Sequence, residues 1–257
     1  MSQRLKRRLL LGMLARQRPN ALLDRASRQL PRVLNSAARR SRAYAELLAE
    51  AGVTAADLQR QDGLIKAPVL NKQSTFGRFP IESLIANDVQ VENLASVLTS
   101  SGYGSSLLGF GLSDRQQQSR TPVAIDLGLQ LAFGVDDRKT LVINTLPMGV
   151  MFESRAACVA NVSVREDMAL AILRQAGPRF EQVILVVDPL FAKRFLDFAQ
   201  SSDFDFGAQR INMVIGEETF QEPFRTYLRA RLAMAPEAGP GDPFLGSSMG
   251  VAELGLN

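Results

Sequence analysis

Residues 182–200, QVILVVDPLFAKRFLDFAQ, decide the fold. A short apolar run rich in β-branched residues, 182–188, passes at once into an amphipathic stretch, 189–200, which reads as a strand feeding a helix. The same pairing recurs on both sides. The runs TLVINTL (140–146), ACVANVSV (157–164) and RINMVIG (210–216), with ASVLTSS (95–101) further upstream, are spaced by amphipathic stretches at 114–132, 166–176 and 217–233. Alternation of this kind predicts an α/β fold: an N-terminal helical segment followed by a layered, largely parallel α/β sheet domain. APEAGPGDP (235–243) reads as a turn before a last strand, and there is no internal repeat.

Upstream of residue 95 the texture is helical. Pro19 and Pro31 are placed where helix starts tolerate proline, and Leu30, Leu34, Ala37, Tyr44 and Leu48 keep a helical rhythm up to a stop at Gly52. The expected organisation is a helical arm and segment at 1–60 and an α/β domain at 61–257, together one structural unit. At 257 residues, 46% hydrophobic and 22% charged, the chain is long enough for a substantial core.

Composition narrows the chemistry. With no histidine and one cysteine, Cys158, the chain lacks the groups for Ser-His-Asp or Cys-His catalysis, CxxC redox and Cys-rich metal sites, leaving carboxylates, Lys, Arg, hydroxyls and backbone. A lone cysteine suits a cytoplasmic location, and no apolar run is long enough for a transmembrane segment. The net charge of +4 hides an asymmetry: residues 1–42 hold 12 Lys/Arg against one acid, Asp24, whereas 18 basic and 25 acidic residues follow. In this arm Leu5, Leu9 and Met13 share a helical face, with Arg4, Arg7 and Arg8 on the other sides. Such a helix either contacts a membrane surface or nucleic acid, or docks on its own acidic body; the latter is the simpler expectation. No nucleic acid partner is expected, because the arm lacks interleaved aromatics and the body is acidic.

Parallel sheets bind ligands at the carboxyl ends of their strands, which directs attention to three segments. The first is Thr99-Ser100-Ser101-Gly102-Tyr103-Gly104-Ser105-Ser106, where hydroxyls and glycines let backbone N–H groups converge on an anion; a plain turn is the commoner use of that composition. It is no Walker loop, since no lysine occurs between Lys72 and Lys139. The second, Gly216-Glu217-Glu218-Thr219, follows a strand and reads as the opening of a helix, whose dipole alone would account for its acids. The third, Gly246-Ser247-Ser248-Met249-Gly250-Val251-Ala252-Glu253, carries one carboxylate suited to Mg2+ or to a solvated loop. Asn144–Gly149 follows another strand and is either a structural turn or part of a ligand pocket, for which Phe110, Phe133, Met148, Met151 and Phe152 are apolar candidates that could as easily be core.

In this order the segments resemble one family. Ser41-Arg42-Ala43-Tyr44-Ala45-Glu46-Leu47-Leu48, Ala51-Gly52-Val53 and Ala67-Pro68-Val69-Leu70-Asn71-Lys72 are similar to the N-terminal region of phenylacetate–CoA ligase-type adenylate-forming (AMP-binding) enzymes. Thr99-Ser100-Ser101-Gly102 stands where that family has its TSSGTTGKP phosphate loop, Gly216-Glu217-Glu218 resembles its GAE or GGE adenine-side segment, and Met249–Glu253 its YGxTE segment. The acyl-protein synthetases of the luciferase system share the TSSG loop. The likeness is colinear from residue 41 to 255.

The resemblance implies ATP-dependent activation of a carboxylic acid substrate to an acyl-adenylate, followed by transfer to a thiol such as CoA, by a cytoplasmic acid–thiol ligase. It assigns Ser100, Ser101, Gly102, Gly104 and Ser105 to the phosphates. Gly216, Glu217, Glu218, Met249 and Gly250 fall to the nucleotide, and Glu253 to Mg2+. The departures sit at the chemistry: Ser105-Ser106-Leu107 stands where GKP is expected, Met249 replaces the aromatic, and Ala252 the threonine hydroxyl. The family's ribose-binding aspartate and small lysine-bearing domain lie beyond the position of Asn257. A C-terminal part or partner protein completing the site is therefore one expectation, and a non-catalytic binding or complex-forming subunit the other.

Overall fold

The computed structural model describes residues 2–60, 62–99, 107–147, 150–151, 153–216, 218–235, 239 and 241–248. In chain order these form α1 (Gln3–Ala15), α2 (Pro19–Arg40), α3 (Arg42–Glu50), α4 (Ala55–Leu58), α5 (Gly63–Lys66), α6 (Ile81–Leu84), β1 (Leu94–Thr99), β2 (Phe110–Asp114) and α7 (Arg115–Phe133). They continue as β3 (Thr140–Asn144), β4 (Cys158–Asn161), α8 (Glu166–Gln175), β5 (Gln182–Val187), α9 (Pro189–Ser201), β6 (Ile211–Ile215), α10 (Glu222–Arg231) and β7 (Leu245–Ser247). The described chain divides into two compact units: one takes residues up to 9 and those from 119 onward, the other residues 10–118. The second unit groups β1 and β2 with the helices that precede them.

In the first unit β3, β5 and β6 are continuous apolar runs because both of their faces are covered. All four ladders are parallel, in the order β4-β3-β5-β6-β7. Leu141, Ile143, Val183, Leu185, Val187, Ile211, Met213 and Ile215 point to one face and pack on α8, α9 and α10 through Leu170, Leu173, Phe191, Phe195, Leu196 and Leu228. The alternate residues Val142 and Ile184 point to the other and meet Phe133 and Val135 at the end of α7. Phe133, one of the apolar candidates, is thus part of the core. α9 starts where its sequence says it should: Pro189 occupies the first turn, and the Asp188 carboxylate accepts from Phe191 N at 2.9 Å.

α1 docks on this unit through charge. Arg7, 6% exposed, donates to Asp126 at 3.2 Å and to both oxygens of Asp136, while Arg4 and Arg8 reach Asp137. The expectation that the arm docks on its own acidic body is met. The helix nevertheless lies with Arg7 inward and Leu5, Leu9 and Met13 outward, because buried acids and not an apolar groove receive it.

The second unit is helical, with a small core of Leu34, Leu48 and Leu58 joined by Leu30, Ala38 and Tyr44. α2 runs through Pro31, against the expectation of a start there; Leu30 and Leu34, on either side of it, are held in that core, and the Asn35 side chain donates to Pro31 O at 2.9 Å. Ser41 breaks the helix and caps α3, and Gly52 closes it with a φ of +65°. β1 pairs antiparallel with β2 in a separate two-stranded sheet. The run at 95–101 was expected in the parallel sheet; its partner is the adjacent hairpin strand.

Candidate functional site

The chain leaves β3 for β4 on one side, then crosses back to β5 on the other, so a topological switch point lies between the carboxyl ends of β3 and β5. Side chains at this edge fasten strand to strand. Thr145 donates to Val186 O through both its N and its Oγ1, each at 2.9 Å. Asn144, 1% exposed, uses its whole amide: Nδ2 donates to Val150 O at 2.7 Å and to Asn161 Oδ1 at 2.8 Å, and Oδ1 accepts from Leu146 N at 3.2 Å. Of the two readings of Asn144–Gly149, these bonds make Asn144 a turn organiser, buried and fully paired. Met148, Gly149 and Phe152 lie outside the described residues, Met151 is exposed, and Phe110 belongs to β2.

β6 and β7 end beside this turn. Gly216 N donates to Val187 O at 2.9 Å, and Ser248 N to Ile215 O at 2.7 Å, so the backbone continues the ladder one residue past each strand. A Cβ placed on Gly216 would stand 3.8 Å from Leu146 Cδ2 and 3.9 Å from Ser248 O, which is ordinary contact distance. Leu146, Gly216 and Ser248 therefore converge from three strands, one from each of the turns after β3, β6 and β7. Glu218 is exposed, and its N donates to Gly216 O at 2.9 Å. Gly216, Glu218 and Thr219 belong to no helix, against the expectation that this segment opens one: α10 begins at Glu222, with Pro223 in its first turn.

Of the sequence-derived candidates, Gly216 and Glu218 are the two whose placement is described. Ser100, Ser101, Gly102, Gly104, Ser105, Glu217, Met249, Gly250 and Glu253 lie outside the described residues. Among the described residues no cluster of acids, His and Cys is suited to a metal, and the Asp188 carboxylate is spent on its helix cap.

One cation near this edge escaped sequence reasoning. Arg225, in α10, donates to Leu245 O and Ser247 Oγ, each at 3.1 Å, and to Glu222, and its guanidinium lies 4.9 Å from the centre of the Phe220 ring. Its placement depends on residues 20 and 22 positions later in the chain, so no local pattern announces it. The second unit holds a shallow cavity of about 470 Å³ lined by Arg32, Ser36, Arg40, Ser41 and Leu84; there Arg40 is engaged by Asp88 at 2.9 Å. Among the described residues no helix is long and apolar enough to cross a membrane.

Neither a protein-family model nor a curated protein matches the chain by sequence. Solved structures do. A 2-hydroxyisobutyryl-CoA ligase in complex with 2-HIB-AMP and CoA, in its thioesterification state, superposes at a TM-score of 0.66 and 14% identity, covering 84% of this chain and 48% of that one. The chain shares its α/β fold with that ligase. The same ligase in an open conformation gives 0.66 at 14% identity over 91% of this chain and 50% of that one. Its postadenylation state with R3-HIB-AMP gives 0.64 at 12% over 91% and 49%. The chain thus spans about half the length of the solved structures it matches, and at these identities the likeness is one of fold.

Proposed function

We propose that this chain is the nucleotide-binding half of a cytoplasmic ligase that activates a carboxylic acid. In the reaction an acid oxygen attacks the α-phosphorus of ATP, the bond to pyrophosphate breaks, and the acyl-adenylate formed passes its acyl group to the thiol of CoA, releasing AMP. The observation that carries this reading is the shared fold with a ligase crystallised with an acyl-AMP and CoA. The resemblance to phenylacetate–CoA ligases supports the finer assignments. Ser100, Ser101, Gly102, Gly104 and Ser105 cradle phosphates, while Gly216, Glu217, Glu218, Met249 and Gly250 flank the nucleotide and Glu253 holds Mg2+.

A second reading is favoured by one feature, the lack of any lysine between Lys72 and Lys139. On it the chain binds nucleotide without turnover and serves as a subunit of a complex. Pyrophosphate release with short hydroxy acids, aryl acids and fatty acids, measured alongside calorimetry with ATP, separates the two. Acid-dependent release establishes the ligase; nucleotide binding at millimolar concentration without release establishes the subunit; no binding removes both.

A further inference from the structure

The unusual surface of the molecule is α1. A repeat of about 3.6 residues per turn sets neighbours about 100° apart, so Leu5, Leu9 and Met13 form one stripe and Arg7 lies about 160° around from Leu9. Arg7 is the residue that is buried, and the stripe is consequently turned to solvent, with Leu5 48%, Leu9 51% and Met13 61% exposed. A helix held by the apolar face of its own protein would lie the other way up. Here three acids hold the inner side, and the apolar side is left to meet something else.

Charge says what that is. Lys6 stands exposed beside the stripe, and Arg16 and Arg18 follow the helix. Lys6, Arg16 and Arg18 have no acidic partner among the described residues, in a segment of 12 basic residues and one acid. We infer that α1 is a docking helix for an anionic lipid surface, its Leu5–Leu9–Met13 stripe entering the headgroup boundary while the unpaired cations meet lipid phosphates. A protein partner fits less well. Protein interfaces are anchored by aromatic side chains, and residues 1–42 contain no Phe, Tyr or Trp, whereas insertion into lipid asks only for aliphatic bulk beside positive charge.

Sedimentation of the full chain with phosphatidylcholine vesicles, with and without phosphatidylglycerol, tests this. The anionic vesicles are expected to bind at least about tenfold more strongly. Leu9→Glu, at an exposed position, leaves the circular dichroism unchanged and weakens binding by more than about tenfold; Lys6→Glu combined with Arg16→Glu does the same. Equal binding to both vesicles, no binding, or binding indifferent to Leu9→Glu overturns the inference. So does a dimer that Leu9→Glu dissociates when vesicle binding is absent, which would assign the stripe to a second copy of the chain.

Discussion

The two units bury their apolar residues in different ways. Around the parallel sheet, alternate residues of each strand serve opposite layers, and Val142, Ile143, Ile184, Leu185, Met213 and Ile215 have no solvent contact. In the helical unit Leu34, Leu48 and Leu58 close a small cluster while Ile65 and Val69 stand 86% and 88% exposed. Stability follows buried area and packing density, so the sheet sets the high end of local stability and the helical unit the low end.

Core truncation is the most forceful way to break this contrast. Phe195 in α9 is fully buried and stacks on Phe191 with centroids 5.9 Å apart, so Phe195→Ala should cost about 3–5 kcal/mol in urea unfolding. Leu48→Ala, in the smaller cluster, should cost about 2 kcal/mol and shorten hydrogen-exchange protection over α2 and α3 more than over β3 and β5. Equal loss in both regions would mean that the two open as one.

Capping gives a finer probe. Thr54 Oγ1 accepts from Asp57 N at 3.2 Å, and the Asp57 carboxylate accepts from Thr54 N at 3.0 Å, a reciprocal cap on α4; Thr54→Ala should cost about 1 kcal/mol. The Lys66 ammonium, 2.6 Å away, and then the Thr54 donors hold the Asp57 carboxyl well below its ordinary range. As pH falls the unfolded chain takes up this proton first, so the contribution is full above about pH 4 and drains away below it. A melting-temperature profile in which wild type and Asp57→Asn converge in acid checks the sign. The smallest effect belongs to Gly216→Ala. The site has room for a Cβ, so stability should change by less than about 1 kcal/mol. If Gly216 flanks a nucleotide, affinity falls while stability holds; unchanged affinity removes it from the site.

Much of this contrast was legible in the sequence. β3, β5 and β6 announced themselves because strands buried on both faces are continuous apolar runs, and α9 because Asp188-Pro189 is a helix start. β2 did not: FGLSD is short and has Gly111 as its one buried residue, so nothing local marked it, and β1 was assigned to the wrong neighbours. The late start of α10 was readable from Pro223, a residue that favours first turns. Burial of Arg7 was not, since its partners lie 119 and 129 residues away. At the candidate site the pattern pointed to strand ends, where Gly216 does lie, but the nucleotide assignments came from motif order alone.

The attachment of α1 has a consequence for ionic strength. Arg7, Asp126 and Asp136 have side chains only 3–7% exposed, whereas Arg4, Arg8 and Asp137 are about half exposed. Dissolved ions screen over about 8 Å at physiological salt and reach the outer pairs far more readily than the inner ones. Concentrated salt therefore frees Arg4 and Arg8 while Arg7 stays fastened, and the helix keeps its orientation after its rim has let go.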